Sequence, residues 1–193
     1  MKTIFILHGG MTSHESPSND AFFTEFSKTL KDGDNVLYIG FARESEEEQK
    51  EVYQRDKKEI LSHTDKELDV VKAELDNFAE QLQNTNAVYV TGGTSKILKG
   101  RLLTCPSFAD SLRGKVYAGS SAGANVISKY HTSYASEELQ EGLNILPICV
   151  MAHFGNSEFN AGEERKALFD DHLDECELVL LPECEWQVKE IEL

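Results

Sequence analysis

Six short apolar runs, each closed by Gly, Pro or polar residues, constrain this chain more than any other feature. They are "TIFIL" (3–7), "NVLYIGF" (35–41), "AVYVT" (87–91), "KVYAG" (115–119), "ILPICVMA" (145–152) and "ELVLLP" (177–182). Runs this short and this continuous mark strands covered on both faces, because a strand with one wet face alternates instead. Stretches with helical patterning lie between them. Strands alternating with helices need crossover connections, and these favour a mainly parallel sheet with helices on both sides. The expected fold class is α/β, a three-layer α/β/α sandwich, and 193 residues are enough for one domain, 1–193, with a sizeable core. No repeat, low-complexity tract or long linker interrupts it.

The clearest helix signal begins at Thr64-Asp65-Lys66-Glu67, a capping-box pattern, and carries Val71, Leu75, Phe78 and Leu82 at one-face spacing. The acidic run "ESEEEQKE" (44–51) reads as a solvated helix face, and "GGMTSHESPSND" (9–20) as a polar loop.

Charge narrows the partners. Nineteen Lys and Arg against 34 Asp and Glu give a formal net charge of −15, a field that repels phosphate backbones and anionic lipid. Neither nucleic acid nor a membrane is an expected partner. The first apolar run is only five residues long, too short for a signal sequence or a span, so the expected location is the cytoplasm. Cys105, Cys149, Cys176 and Cys184 show no CxxC pairing and lie in or beside apolar segments. They are expected to be free buried thiols, with no disulfide, no zinc site and no other metal or cofactor.

In open α/β sheets, reactive groups gather where loops leave the carboxyl ends of the strands. Gly119-Ser120-Ser121-Ala122-Gly123 has the G-x-S-x-G form of a nucleophile elbow, placed after a strand and before a helix as that motif requires. The reactive serine would be Ser121, with Ser120 in the variable position; the alternative is an ordinary strand-to-helix turn built from small residues. Gly92 and Gly93 follow another strand, where a backbone N–H could face a developing oxyanion beside that of Ala122. A serine nucleophile also needs a base, and both His153 and His8 follow apolar runs. The orienting carboxylate would come from "LVLLPECEW" (178–186), as Glu183 or Glu185. Residue patterns alone leave each of these pairs open.

The combination "YVTGGTSKIL", "AGSSAGANVIS", "LNILPICVMAHF" and "LVLLPECEWQV", with a weaker echo at "VLYIGFARE" (36–44), resembles the peptidase E family, the aspartyl dipeptidases, with cyanophycinase among its more distant relatives. The resemblance spans roughly residues 85 to 190. It implies a flavodoxin-like or class I glutamine amidotransferase-like fold and a Ser-His-Glu triad. The S-A-G-A-N elbow, the histidine of an H-F pair and the glutamate of an L-P-E segment fall on Ser121, His153 and Glu183. Gly93 and Ala122 would then supply the oxyanion hole. The implied substrates are short peptides with an N-terminal Asp, and Arg165 in "NAGEERKAL" (160–168) is a candidate for their carboxylate, with a surface pairing to Glu163 or Glu164 as the alternative.

The chain departs from the family pattern at Thr91, at Thr94-Ser95 and at Cys184, and it stops at Leu193, sooner after the glutamate than family members commonly do. Loops around the substrate's N-terminus are therefore expected to differ. The expected partner is a small peptide substrate, with a homodimer as a possible assembly. Two rival readings stand beside the peptidase: a catalytically weak binding or regulatory scaffold of the same fold, and an esterase of α/β-hydrolase type, whose acid would precede its histidine.

Overall fold

The computed structural model describes residues 2–193. In chain order the elements are β1 (Lys2–His8), α1 (Pro17–Lys28), β2 (Asn35–Ile39), α2 (Glu46–Ser62), β3 (Asp69–Lys72), α3 (Phe78–Gln83), β4 (Ala87–Val90), α4 (Ser95–Leu102), α5 (Phe108–Ser111), β5 (Val116–Ser120) and α6 (Ala122–Ile127). They continue with β6 (Tyr130–Ser133), β7 (Ser136–Glu141), β8 (Ile148–Ala152), β9 (Glu177–Leu181) and β10 (Trp186–Glu192), and a 3₁₀ segment (Glu163–His172) lies between β8 and β9. Each of the six apolar runs coincides with a strand, and the fold is α/β.

The main sheet has the order β10-β1-β5-β4-β2-β3 and is parallel except for β10. Alternate residues of its strands feed two cores. Phe5, Leu7, Leu37, Ile39, Val88, Val90 and Tyr117 pack with α3 to α6, while Ile6, Val36, Tyr38, Tyr89 and Ala118 pack with Phe22, Phe23 and Phe26 of α1 and with Val52 and Ile60 of α2. This double coverage is why the strands read as unbroken apolar runs. Burying each Val, Leu, Ile or Phe among them contributes about 1.5–3 kcal/mol.

Instead of one sheet there are two. Strands β6 to β9 form a second sheet of order β7-β6-β8-β9. They cannot extend the main sheet beyond β1, because β10 occupies that edge in continuous register from Lys2↔Glu192 to His8↔Trp186. The two sheets meet at Gly9-Gly10, directly after β1. The Gly9 N–H donates to the Glu185 carbonyl (2.9 Å), His153 N–H to the Gly9 carbonyl (2.9 Å) and Cys184 N–H to the Gly10 carbonyl (3.0 Å). That junction sets the ends of β8 and β9 beside the end of β1.

The helix expected from Thr64 to Leu82 does not form. Residues 69–72 are instead β3, an edge strand paired in parallel with β2, and only Phe78–Gln83 is α-helical. Val70 and Val71 are β-branched and suit a strand, and the open edge of β2 offers backbone partners that a local cap cannot match. Val71 and Leu75, assigned to a buried helix face, are exposed. The Thr64 hydroxyl accepts only the nearby Lys66 N–H. A capping box does occur, at Ser45 and Glu48, where it starts α2, and the acidic run is that helix's solvated face as expected.

The cysteine expectation also fails: Cys149 of β8 and Cys176, next to the start of β9, form a disulfide with Cα atoms 5.7 Å apart. The two residues are 27 apart in sequence, so no local spacing signals them. Parallel pairing of β8 with β9 brings them together. Cys105 and Cys184 are free. No described helix is long and apolar enough to cross a membrane.

Candidate active site

β5 ends at Ser120 and α6 starts at Ala122, leaving Ser121 at the turn with φ 49° and ψ −104°. A non-glycine residue at positive φ is strained, and such strain collects at functional sites. The flanking glycines are dictated by close approach: a Cβ at Gly119 would lie 2.7 Å from the Gly123 carbonyl, and one at Gly123 would lie 2.5 Å from the Val90 carbonyl. Any side chain there would push α6 off the sheet and move the serine with it. The Ser121 N–H donates to the His8 carbonyl (2.9 Å), which ties the turn to β1.

From Ser121 a line of hydrogen bonds crosses to the second sheet. Its Oγ lies 2.9 Å from Nε2 of His153, and Nδ1 of His153 lies 2.9 Å from Oε1 of Glu183. A carboxylate can only accept, so Nδ1 carries the imidazole proton and Nε2 is free to accept the serine O–H. Asn156 Nδ2 donates to the same Glu183 oxygen (2.9 Å), fixing its direction. The ring of Phe159 stacks on the imidazole at 3.9 Å and 4°. His153 and Cys184, like Ser121, have positive φ (56° and 62°). Two of the three aligned residues, and the neighbour of the third, are thus at strained positions in the segments that directly follow β5, β8 and β9.

His8 has a different environment. It is fully buried; its Nδ1 accepts the Gly10 N–H (3.0 Å), so its Nε2–H donates to Asn19 Oδ1 (2.8 Å). Burial lowers its pKa to about 4, with Asn19 opposing and His153 adding to the shift. Both nitrogens are committed to the scaffold. Glu185 is bonded to the Ser18 hydroxyl rather than to a histidine.

Gly92, Gly93, Ser121 and His153 line a cavity of about 1180 Å³. The Gly93 N–H has no hydrogen-bond partner among the described residues, and the Ala122 N–H lies in the first turn of α6, where no intrahelical carbonyl reaches it. Arg43, Arg55, Lys96 and Lys99 also line the cavity, against a single acid, Glu141. The lining is therefore cationic within a chain of net charge −15. Arg55 is held by Asp56 (Nε and Nη2, both 2.7 Å), itself buried and bonded to Tyr38 (2.7 Å) and Thr91 (3.1 Å). Arg101 clasps the carbonyls of Phe41, Arg43 and Glu44, fixing the loop that carries Arg43.

Arg165 is not brought to the cavity. It is buried behind β7, where it donates to the Ser136 carbonyl (2.9 Å) and lies 3.9 Å from Glu137. It pairs with neither Glu163 nor Glu164 and instead supports a wall of the pocket. Asn156, Phe159, Arg43 and Arg55 carry no motif that sequence reading could have detected.

The model of peptidase family S51 matches residues 5–188. The chain belongs to peptidase family S51. It is accordingly a serine peptidase. It is 34% identical, over 154 residues, to the uncharacterized peptidase Lin0382 of Listeria innocua serovar 6a (strain ATCC BAA-680 / CLIP 11262), covering 71% of this chain and 72% of that one. Two crystal structures share the fold of this S51 peptidase. One is a candidate peptidase E protein from Listeria monocytogenes EGD-e, with TM-score 0.66, 19% identity and full coverage of both chains. The other is a peptidase from an acI-B1 Actinobacterium, with TM-score 0.68 and 21% identity, covering 98% of this chain and 84% of that one.

Proposed function

We propose that this single catalytic domain hydrolyses short peptides through a Ser121-His153-Glu183 triad, with preference for an N-terminal Asp. The observation that carries the reading is the unbroken line from Ser121 Oγ through His153 to Glu183, 2.9 Å at each link, on the wall of a cationic cavity. Ser121 attacks the scissile carbonyl as His153 Nε2 takes its proton. The same nitrogen returns that proton to the leaving amine, and a second cycle with water releases the acyl group. Glu183 holds the tautomer and stabilises the imidazolium without being protonated. The N–H groups of Gly93 and Ala122 receive the oxyanion. Arg43 and Arg55, rather than Arg165, meet the substrate carboxylate.

The test is a panel of Asp-X and Glu-X dipeptides, chromogenic Asp amides and p-nitrophenyl esters, run beside S121A. Expected is Ser121-dependent turnover, with peptides of N-terminal Asp preferred. Absence of such turnover on every substrate would return the assignment to a binding scaffold, and faster ester than peptide cleavage to an esterase.

A further inference from the structure

β6 carries another histidine to the cavity wall. His131 is only 4% exposed, yet it lines the same cavity as Ser121 and His153. Its Nδ1 lies 2.9 Å from the Thr132 carbonyl oxygen. A carbonyl only accepts, so Nδ1 bears the hydrogen, and in the neutral ring Nε2 is a bare acceptor. Among the described residues nothing hydrogen-bonds to that nitrogen. The other two buried histidines near the junction have both nitrogens committed: His8 to Gly10 and Asn19, His153 to Ser121 and Glu183. Among these three, His131 alone keeps an open acceptor.

Given the peptidase reading of the site, we infer that Nε2 of His131 accepts an amide N–H of the bound peptide and aligns its backbone along the cavity. Burial, opposed by the Thr132 hydrogen bond and assisted by the charge of Lys99, keeps the pKa of His131 below its ordinary value, so the acceptor form prevails at neutral pH. Lys99 also selects the kind of donor. Its Nζ donates to the Glu141 carbonyl (2.8 Å) on the strand paired with β6. A cation there disfavours a substrate ammonium beside His131 and leaves a neutral amide as the matching group. Nε2 is the ring's one unpaired acceptor on the cavity wall, and a peptide backbone supplies N–H groups at regular intervals. The role is substrate binding and positioning; the proton relay runs through His153.

The experiment pairs a change in the protein with a change in the substrate. Wild type, H131Q and H131F are assayed on a peptide that the wild type cleaves and on analogues in which each backbone N–H in turn is replaced by an ester oxygen outside the scissile bond. A fluorophosphonate labelling rate at Ser121 reports the triad separately. Expected is an about tenfold loss of kcat/KM for H131F, chiefly through KM, with partial recovery in H131Q and unchanged labelling. One ester analogue should cost the wild type a similar factor and cost H131F nothing further. Full peptide activity in H131F overturns the assignment, as does an equal fall in labelling and cleavage, or the absence of any analogue whose loss disappears in H131F. The substrate series on the wild type tests the contact even if a variant folds poorly, since equal kcat/KM for all analogues also overturns it. If the wild type cleaves no peptide in a Ser121-dependent way, the peptidase reading itself has failed; intact cleavage with no His131 effect sinks only this inference.

Discussion

The ends of β1 and β8 share one pattern, an apolar run followed by a histidine, and make opposite uses of it. At the end of β1, His8 is sealed: Gly10 donates to one nitrogen, Asn19 accepts from the other, and burial lowers the pKa to about 4. At the end of β8, His153 has a carboxylate on Nδ1 and a serine hydroxyl on Nε2. The two are joined through Gly9-Gly10, and even the His8 carbonyl serves the site by accepting the Ser121 N–H. The role of a strand-end histidine is decided by what faces its two nitrogens.

That contrast can be challenged variant by variant. S121A or H153A should lower kcat by about 10⁴- to 10⁶-fold with the circular dichroism spectrum unchanged; a small loss would mean that the relay is decorative. E183Q removes the charge that stabilises the imidazolium and offers His153 Nδ1 an amide N–H that favours the wrong tautomer; it should cost about 10⁴-fold in kcat, measured beside E185Q, which should remain close to wild type. G10A is expected to cost about 10²-fold by displacing the base. A Cβ there would lie 2.2 Å from Cε1 of His153, and the glycine has φ +120°. H8A should mainly lower stability, by about 1–3 kcal/mol in urea titration, because Asn19 and the Gly10 N–H lose a buried partner.

A pH series separates the two histidines further. The folded pKa of His8 lies below its unfolded value, so the unfolded state binds more protons between pH 6.5 and about 4. Stability should therefore fall as pH drops through that window and level off below it, by about 3 kcal/mol at most from this group. The H8A variant should show a shallower slope.

Strands buried on both faces were legible because such burial leaves a local mark, a compact apolar run. The tight turn at Ser121 was legible because sterics force small residues around it. What escaped was set by distant partners. β7 ("SEELQE") and β10 ("WQVKEIE") are polar edge strands, formed because β6 and β1 have open sides. β3 was masked by an apparent helix period and a false cap at Thr64. The Cys149–Cys176 bridge depends on strand pairing. His153 and Glu183 could be separated from His8 and Glu185 only by family resemblance, since all four lie near strand ends. The positions of Asn156 and Phe159 beside the triad residues, and of Arg43 and Arg55 on the cavity wall, depend on tertiary placement alone.

The central claim is that one serine is activated by one imidazole across the junction of two sheets. Reaction with a fluorophosphonate, followed by intact mass and peptide mapping, tests it most directly. A single adduct is expected on Ser121 in the wild type, absent in S121A and strongly slowed in H153A. An unlabelled wild-type protein, or labelling that proceeds undiminished without His153, would contradict it.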